Sequence, residues 1–282
     1  MIAVAITAHH ERATSRACTE AAVEWCRSEA VEYWMPVEDA DALGLTEVGS
    51  DRPLHDADLV LSLGGDGTML RSVRLLDGAP VPLLGINLGA LGYLTEVEPE
   101  RMVAALEDFR RGPEAGEWRV DERMMLDVAA NGTVVGRALN EAVVEHGEAG
   151  HTVRLLARID GAPFTYYAAD GLIVATPTGS TAYSLSARGP IVSPRHRAIL
   201  LTPVSPHMLF DRSLVLDPSE TVEVEVTGHR AAELTLDGQP ILELGDGDVI
   251  RCTPSAATAR FVRFGAYRYH QILKAKFGLT DR

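Results

Sequence analysis

The stretch Leu59-Val60-Leu61-Ser62-Leu63-Gly64-Gly65-Asp66-Gly67-Thr68-Met69-Leu70-Arg71-Ser72-Val73-Arg74-Leu75-Leu76 decides how the chain reads. Its first five residues form an apolar run short enough for a buried strand, and Met69, Val73 and Leu76 recur at helical spacing. A strand, a glycine loop and a helix in that order leave backbone N–H groups free at a helix N-terminus, where an anion binds readily. Asp66 stands in the middle of that cradle. A carboxylate beside phosphates is costly, so Asp66 is expected to take a proton, to order a magnesium ion, or both. A glycine turn with Asp66 capping the helix is the plain alternative. The loop is not a Walker A motif, which needs a Lys before its Ser/Thr. The only lysines are Lys274 and Lys276, near the C-terminus. Phosphates bound at the loop would be held by backbone amides, arginines and metal.

Around that stretch the first hundred residues alternate strands and helices. Strands are expected at Ile2–Thr7, Val31–Met35, Leu59–Leu63 and Val81–Ile86, with helices over Glu11–Ser28 and from Pro99 to Leu106. This rhythm predicts a mostly parallel sheet covered by helices, a Rossmann-like α/β domain over residues 1–112. Beyond Arg110-Arg111-Gly112-Pro113 the pattern changes to short extended runs separated by turns. Met124–Ala129 and Thr133–Val144 meet across Asn131-Gly132, and Arg154–Ile159 and Phe164–Ala169 meet across Asp160-Gly161, both hairpin signals. Further strands are expected at Leu172–Ala175, Ala198–Thr202, Val222–Thr227, Glu233–Leu236, Val249–Cys252 and Arg260–Phe264. Residues 113–264 therefore read as an antiparallel β-sandwich domain. Residues 265–282 read as a segment with a helix at Tyr269–Phe277 that returns to the α/β domain.

Bulk properties narrow the function classes. The 282 residues carry 26 Lys+Arg against 40 Asp+Glu, a formal charge of −14, which argues against nucleic acid and anionic membrane as partners. No apolar run approaches the ~20 residues of a membrane span. The N-terminus lacks the basic region of a signal peptide. Cys18, Cys26 and Cys252 have neither metal-ligand spacing nor a disulfide framework, so a reducing cytoplasm is the expected compartment. No residues are assigned as metal ligands. The acid excess fits either a salt-adapted surface or a coding bias that replaces Lys by Arg.

Four more constellations carry chemistry. Gly85-Ile86-Asn87-Leu88-Gly89 with Leu91-Gly92-Tyr93-Leu94 follows a strand of the first domain, where open α/β folds bind ligands; an irregular glycine loop is the alternative. Asn140-Glu141 lies inside an otherwise apolar strand, so one of the two points away from a standard core. It reads either as an exposed edge or as a pair that recognises ribose hydroxyls. From Asp170-Gly171 through Thr176-Pro177-Thr178-Gly179-Ser180-Thr181-Ala182-Tyr183-Ser184-Leu185-Ser186, a buried strand ends in small polar residues that open a short helix. Hydroxyls and N–H groups converge there, and Tyr183 offers a face for stacking on a base. Asp237-Gly238-Gln239 and Asp246-Gly247-Asp248 read as structural hairpin turns, and His207 as a structural histidine.

Taken in order, these motifs resemble the NAD kinases, which phosphorylate the adenosine 2′-hydroxyl of NAD with ATP or polyphosphate to give NADP. The glycine motif alone is shared with lipid kinases and, more distantly, phosphofructokinases. The ordered set through Asp237-Gly238-Gln239 is specific and spans nearly the whole chain. The resemblance implies that Asp66 is the general base and that Gly64, Gly65, Gly67 and Thr68 hold phosphates. It assigns NAD to Tyr93, Asn140, Glu141, Asp170, Thr178, Thr181, Ala182, Tyr183 and Ser186. It further implies Mg2+ or another divalent cation, NAD and ATP or polyphosphate as substrates, and a homodimer or homotetramer built through the β domain. Tyr93, Met69 and Arg188 depart from the usual pattern, where Phe, Phe or Leu, and Gly are common. A non-catalytic NAD(P) sensor and a lipid kinase are the alternatives.

Overall fold

A computed structural model describes residues 2–11, 13–147, 152–266 and 268–279. The chain divides into two compact units, Met1–Glu122 with Ala259–Arg282, and Arg123–Thr258. These boundaries fall later and earlier than 112/113 and 264/265. The reason is that two long strands, β6 (Trp118–Ala130) and β17 (Val249–Phe264), run through them. Val249–Cys252 and Arg260–Phe264, expected as separate strands, are thus parts of one.

In the first unit, β1 (Ala3–Ala8), β2 (Glu32–Pro36), β3 (Gly49–Ser50), β4 (Leu59–Gly64) and β5 (Pro82–Asn87) form a parallel sheet in the order β3-β2-β1-β4-β5. The end of β17 continues it, with Arg260 and Phe261 beside Pro82 and Leu83. Both faces are covered, so β1 and β4 are buried at every residue and read as unbroken apolar runs. The helices are α1 (Ala13–Ser28), α2 (Val37–Leu43), α3 (Asp66–Leu76), α4 (Met102–Arg110) and α6 (Tyr269–Lys276). A 3₁₀ turn at Pro99–Arg101 leads into α4. Close packing of α3 on β5 needs Gly85, where a Cβ would come within 2.8 Å of the Met69 sulfur. Helix α6 returns to this unit: the Tyr269 ring lies 6.3 Å from that of Tyr93, and Lys276 Nζ stands 4.7 Å above it.

The second unit is a sandwich of two antiparallel sheets. One contains β9 (Val153–Ile159), β10 (Ala162–Ala169), β14 (Val222–Val226) and the start of β17, in the order β10-β9-β14-β17. The other runs β13-β12-β11-β8-β15-β16. Its strands are β8 (Glu141–His146), β11 (Gly171–Ala175), β12 (Ile199–Val204), β13 (Leu214–Leu216), β15 (Ala232–Leu236) and β16 (Gln239–Leu244). On β14, Val222, Val224 and Val226 point inward and Glu223 and Glu225 outward, the alternation of a half-buried strand. β11 is buried throughout because Ile173 and Ala175 face a second small cluster with Val143 and Leu200. Residues 133–144 are not one strand. β7 (Thr133–Ala138) pairs with β6, whereas β8 pairs with β11 and β15, so the chain changes partners at Leu139-Asn140. Elements α2, β3, β13 and β16 go beyond the strands and helices expected from the sequence, because they are short or show no clear apolar period.

Arg188, following the short helix α5 (Tyr183–Ser186), has φ +66° and is exposed. A side chain in that left-handed conformation carries backbone strain that Gly does not. Arg188→Gly is therefore expected to raise the stability of the folded chain by about 0.5–1 kcal/mol in urea unfolding. A fall in midpoint would show that the Arg188 side chain makes up for its backbone.

Candidate active site

The glycine loop lies where β4 ends and α3 begins. Gly65 caps the helix through its carbonyl, which accepts the N–H groups of Thr68 and Met69 at 3.1 Å each. The N–H groups of Asp66 and Gly67 make no hydrogen bond among the described residues, leaving the donors that an anion requires. A Cβ on Gly67 would meet nothing within 4 Å, whereas one on Gly64 would collide with the Thr68 hydroxyl at 2.1 Å. Gly64 thus serves packing, and Gly67 leaves room above the loop.

Asp66 does not cap its own helix, contrary to the plain reading of the sequence. Its carboxylate accepts the N–H groups of Tyr93 and Leu94, both at 2.9 Å. Gly92 permits the approach, since a Cβ there would lie 2.3 Å from Asp66 Oδ1. The second glycine constellation therefore exists to seat Asp66. Each of its oxygens keeps a further lone pair for another partner. Burial, then the Asp66 charge, push the Tyr93 phenol above its ordinary range. Tyr93, assigned by resemblance to NAD, belongs to the same unit as Asp66.

An open pocket stands over this loop, lined by Gly65, Asp66, Gly67, Thr68 and Arg71 on one side and by Ala8, His9, His10 and Glu11 on the other. Arg71 is held by Asp39, a fully buried residue of α2, through bonds of 2.6 and 2.5 Å. Sequence reasoning missed Asp39 and His10. Glu38-Asp39-Ala40-Asp41 looks like a solvated acidic run, and only the position of His9-His10 at the C-terminal end of a parallel strand marks them.

In the second unit, Asp237 organises the other constellation. Its carboxylate accepts the N–H groups of Leu139 (2.8 Å), Asn140 (2.7 Å) and Glu141 (3.1 Å). The hairpin turn expected at Asp237-Gly238 is present, with φ +48° and +75°, but the aspartate does more than turn the chain. It fixes the point where β7 gives way to β8. From the other side the Thr176 hydroxyl donates to Leu139 O (2.6 Å) and the Thr176 N–H to Asn140 O (2.8 Å). Gly179 packs so closely that a Cβ would fall 2.1 Å from Asn140 O. Thr178 is buried, Thr181 and Ala182 are half-buried, and Tyr183 and Ser186 are exposed. Asp170 is half-buried, and its charge reaches the Tyr183 phenol.

Glu141 is 5 % exposed, and its Oε2 has no partner among the described residues. Burial foremost, then the Asp237 carboxylate, push its carboxyl up to about 8, against the Tyr183 N–H that it accepts. A buried polar atom without a partner, beside the exposed Tyr183, is the mark of a ligand contact.

Both units match known descriptions. Residues 7–113 match the ATP-NAD kinase N-terminal domain and residues 139–264 the ATP-NAD kinase C-terminal domain. Both matches describe a kinase, a phosphotransferase acting on an alcohol group. The NAD kinase of Moorella thermoacetica is 42 % identical over 263 residues, 90 % of this chain and 82 % of that protein. That of Citrifermentans bemidjiense is 36 % identical over 291 residues, covering 100 % and 99 %. Yeast NADH kinase complexed with NADH superposes with a TM-score of 0.85 at 26 % identity, covering 100 % of this chain and 89 % of that one. An NAD kinase from Archaeoglobus fulgidus in complex with ATP gives 0.77 at 26 %, covering 99 % and 100 %. The chain belongs to the NAD kinase family.

Two outcomes follow for the second unit. Between pH 4.5 and about 8 the folded chain keeps a proton on Glu141 that the unfolded chain has released. Stability due to this group is therefore full below pH 4.5 and is lost as pH rises through 8. Glu141→Gln should melt near the parent at pH 5 and progressively above it toward pH 9. A constant difference across pH would contradict the shift. Asp237→Ala orphans three N–H groups and should cost about 3 kcal/mol or more in urea unfolding; no change in midpoint would show that water replaces the carboxylate.

Proposed function

We propose that this enzyme transfers the γ-phosphoryl group of ATP to the adenosine 2′-hydroxyl of NAD, with Asp66 as the general base. The observation that carries the assignment is the fixing of the Asp66 carboxylate by Tyr93 and Leu94 at the wall of a pocket beside the N–H groups of Asp66 and Gly67, which are unpaired among the described residues. Phosphoryl transfer asks a protein chiefly for positioning and charge compensation. The 2′-oxygen bonds to phosphorus, its proton passes to Asp66, and the bond from phosphorus to the β,γ-bridging oxygen breaks, releasing ADP.

Gly65, Gly67 and Thr68 are proposed to cradle the donor phosphates, with Gly64 shaping the loop. Asn140, Glu141 and Asp170 are proposed to contact the ribose and nicotinamide end of NAD, with Thr178, Thr181, Ala182, Tyr183 and Ser186 forming the adenine-side wall and Tyr93 a further contact. A protonated Glu141 suits a ribose hydroxyl, because it donates one hydrogen bond and accepts another. A divalent cation bound to the donor phosphates supplies charge compensation there. The site fits a cation held chiefly by phosphate: no group of three ligating side chains occurs among the described residues, and Arg71 is already matched by Asp39. Contacts made through backbone N–H groups suit polyphosphate as well as ATP. Buried thiols at Cys26 and Cys252, both pushed up to about 12 by burial, fit a cytoplasmic protein. The exposed Phe164 and Tyr166 of edge strand β10, with Phe210 packed edge-on against Phe164, are proposed to lie in a homo-oligomer contact. No helix among the described residues is long and apolar enough to cross a membrane. No observation favours a sensor or a lipid kinase.

Asp66→Asn keeps the side-chain shape and an acceptor for one N–H. It is expected to lower kcat for NADP formation by about 10³-fold, within the usual range for a lost general base, while NAD binding persists. Near-parental turnover would remove Asp66 from the reaction.

A further inference from the structure

The buried Asp39 carboxylate has every acceptor position filled. Arg71 takes two, the Ala8 N–H donates at 2.8 Å, and His10 Nε2 stands 2.9 Å from Oδ1. An ionised carboxylate paired with arginine only accepts, so His10 Nε2 carries a hydrogen. Its other ring nitrogen, Nδ1, makes no hydrogen bond among the described residues. The His10 side chain is 33 % exposed and lines the same pocket as Gly65, Gly67 and Thr68.

We propose that His10 is a donor-phosphate ligand, and that the triphosphate binds with uptake of one proton at its Nδ1. This deepens the kinase reading and rests on it for the identity of the donor. The charged and titratable groups around the pocket are Asp39 from α2, Arg71 and Asp66 from α3, and His9 and Glu11 beside His10 itself. Arg71 is balanced by Asp39, which leaves Asp66 and Glu11, so with neutral imidazoles the side chains carry net negative charge. A polyanion needs compensation that these groups do not give. With Nε2–H directed at Asp39, a neutral ring offers only a lone pair at Nδ1, which repels a phosphate oxygen. A proton from solvent converts Nδ1 into a charged donor without loosening the Asp39 bond. Asp39 thus acts as the positioning residue and His10 as the contact.

The test is calorimetric titration of the whole protein with Mg·ATP at pH 7.5, in two buffers of different ionisation enthalpy, which counts protons taken up. The parent should take up close to one proton. His10→Gln should bind ATP about tenfold more weakly and take up none, whereas His9→Gln keeps the uptake. No uptake by the parent, or equal uptake by His10→Gln, overturns the inference. Should His10→Gln fail to fold, the ring ¹⁵N signals of the parent decide: Nδ1 protonation on adding Mg·ATP supports it, and an unchanged neutral ring refutes it. NADP formation is scored separately. Its absence with uptake intact counts against the kinase reading alone, and its presence without uptake counts against this inference alone.

Discussion

Aspartates that accept backbone N–H groups from distant loops hold this protein's candidate functional surfaces in place. A strand that ends at a ligand site leaves N–H groups without ladder partners, and burying them unsatisfied costs about 1–3 kcal/mol each. Here the donors are met by carboxylates. Asp66 ties Tyr93 and Leu94 to the glycine loop, Asp237 ties Leu139 to Glu141 to a hairpin turn, and Asp39 ties Ala8 at the end of β1 to α2. Each bond spans a long stretch of sequence, so each loop is positioned by a scaffold element rather than by its own residues.

The same constraint suits the chemistry. In the proposed reaction, the carboxylate that accepts a proton from the alcohol stands near the phosphates it repels. Two backbone donors hold Asp66 in one orientation without adding a titratable partner, and Gly92 lets the loop come close enough for both. Glu141 stands in a different setting. Glu141 accepts one backbone N–H, faces Asp237 and keeps an unpartnered oxygen, and it holds its proton to about pH 8.

Much of this was legible in the sequence. The strand–glycine–helix order at Leu59–Leu76, the βαβ rhythm and the Asn131-Gly132 and Asp160-Gly161 hairpins are local signals, and each stands as read. What escaped was set by tertiary contact. Residues 133–144 read as one extended run, and nothing in it shows that Asp237, far along the chain, breaks the strand at Leu139-Asn140. Asp39 sits among acidic neighbours that look solvated, yet it is fully buried because Arg71, from another helix, reaches it. The residues between Cys252 and Arg260 look too irregular for a strand but continue one that begins in the sandwich and ends beside β5.

If carboxylates preorganise the site, the loop amides they bind must be slow to exchange before any substrate arrives. Amide hydrogen exchange in the ligand-free protein tests this directly at Tyr93, Leu94, Leu139, Asn140 and Glu141. The account predicts protection comparable to that of the adjoining strands β5 and β8, although Tyr93 and Leu94 lie outside any strand or helix. Exchange as fast as at the Asn131-Gly132 turn would contradict it, and would mean that these loops are ordered by ligand instead of by Asp66 and Asp237.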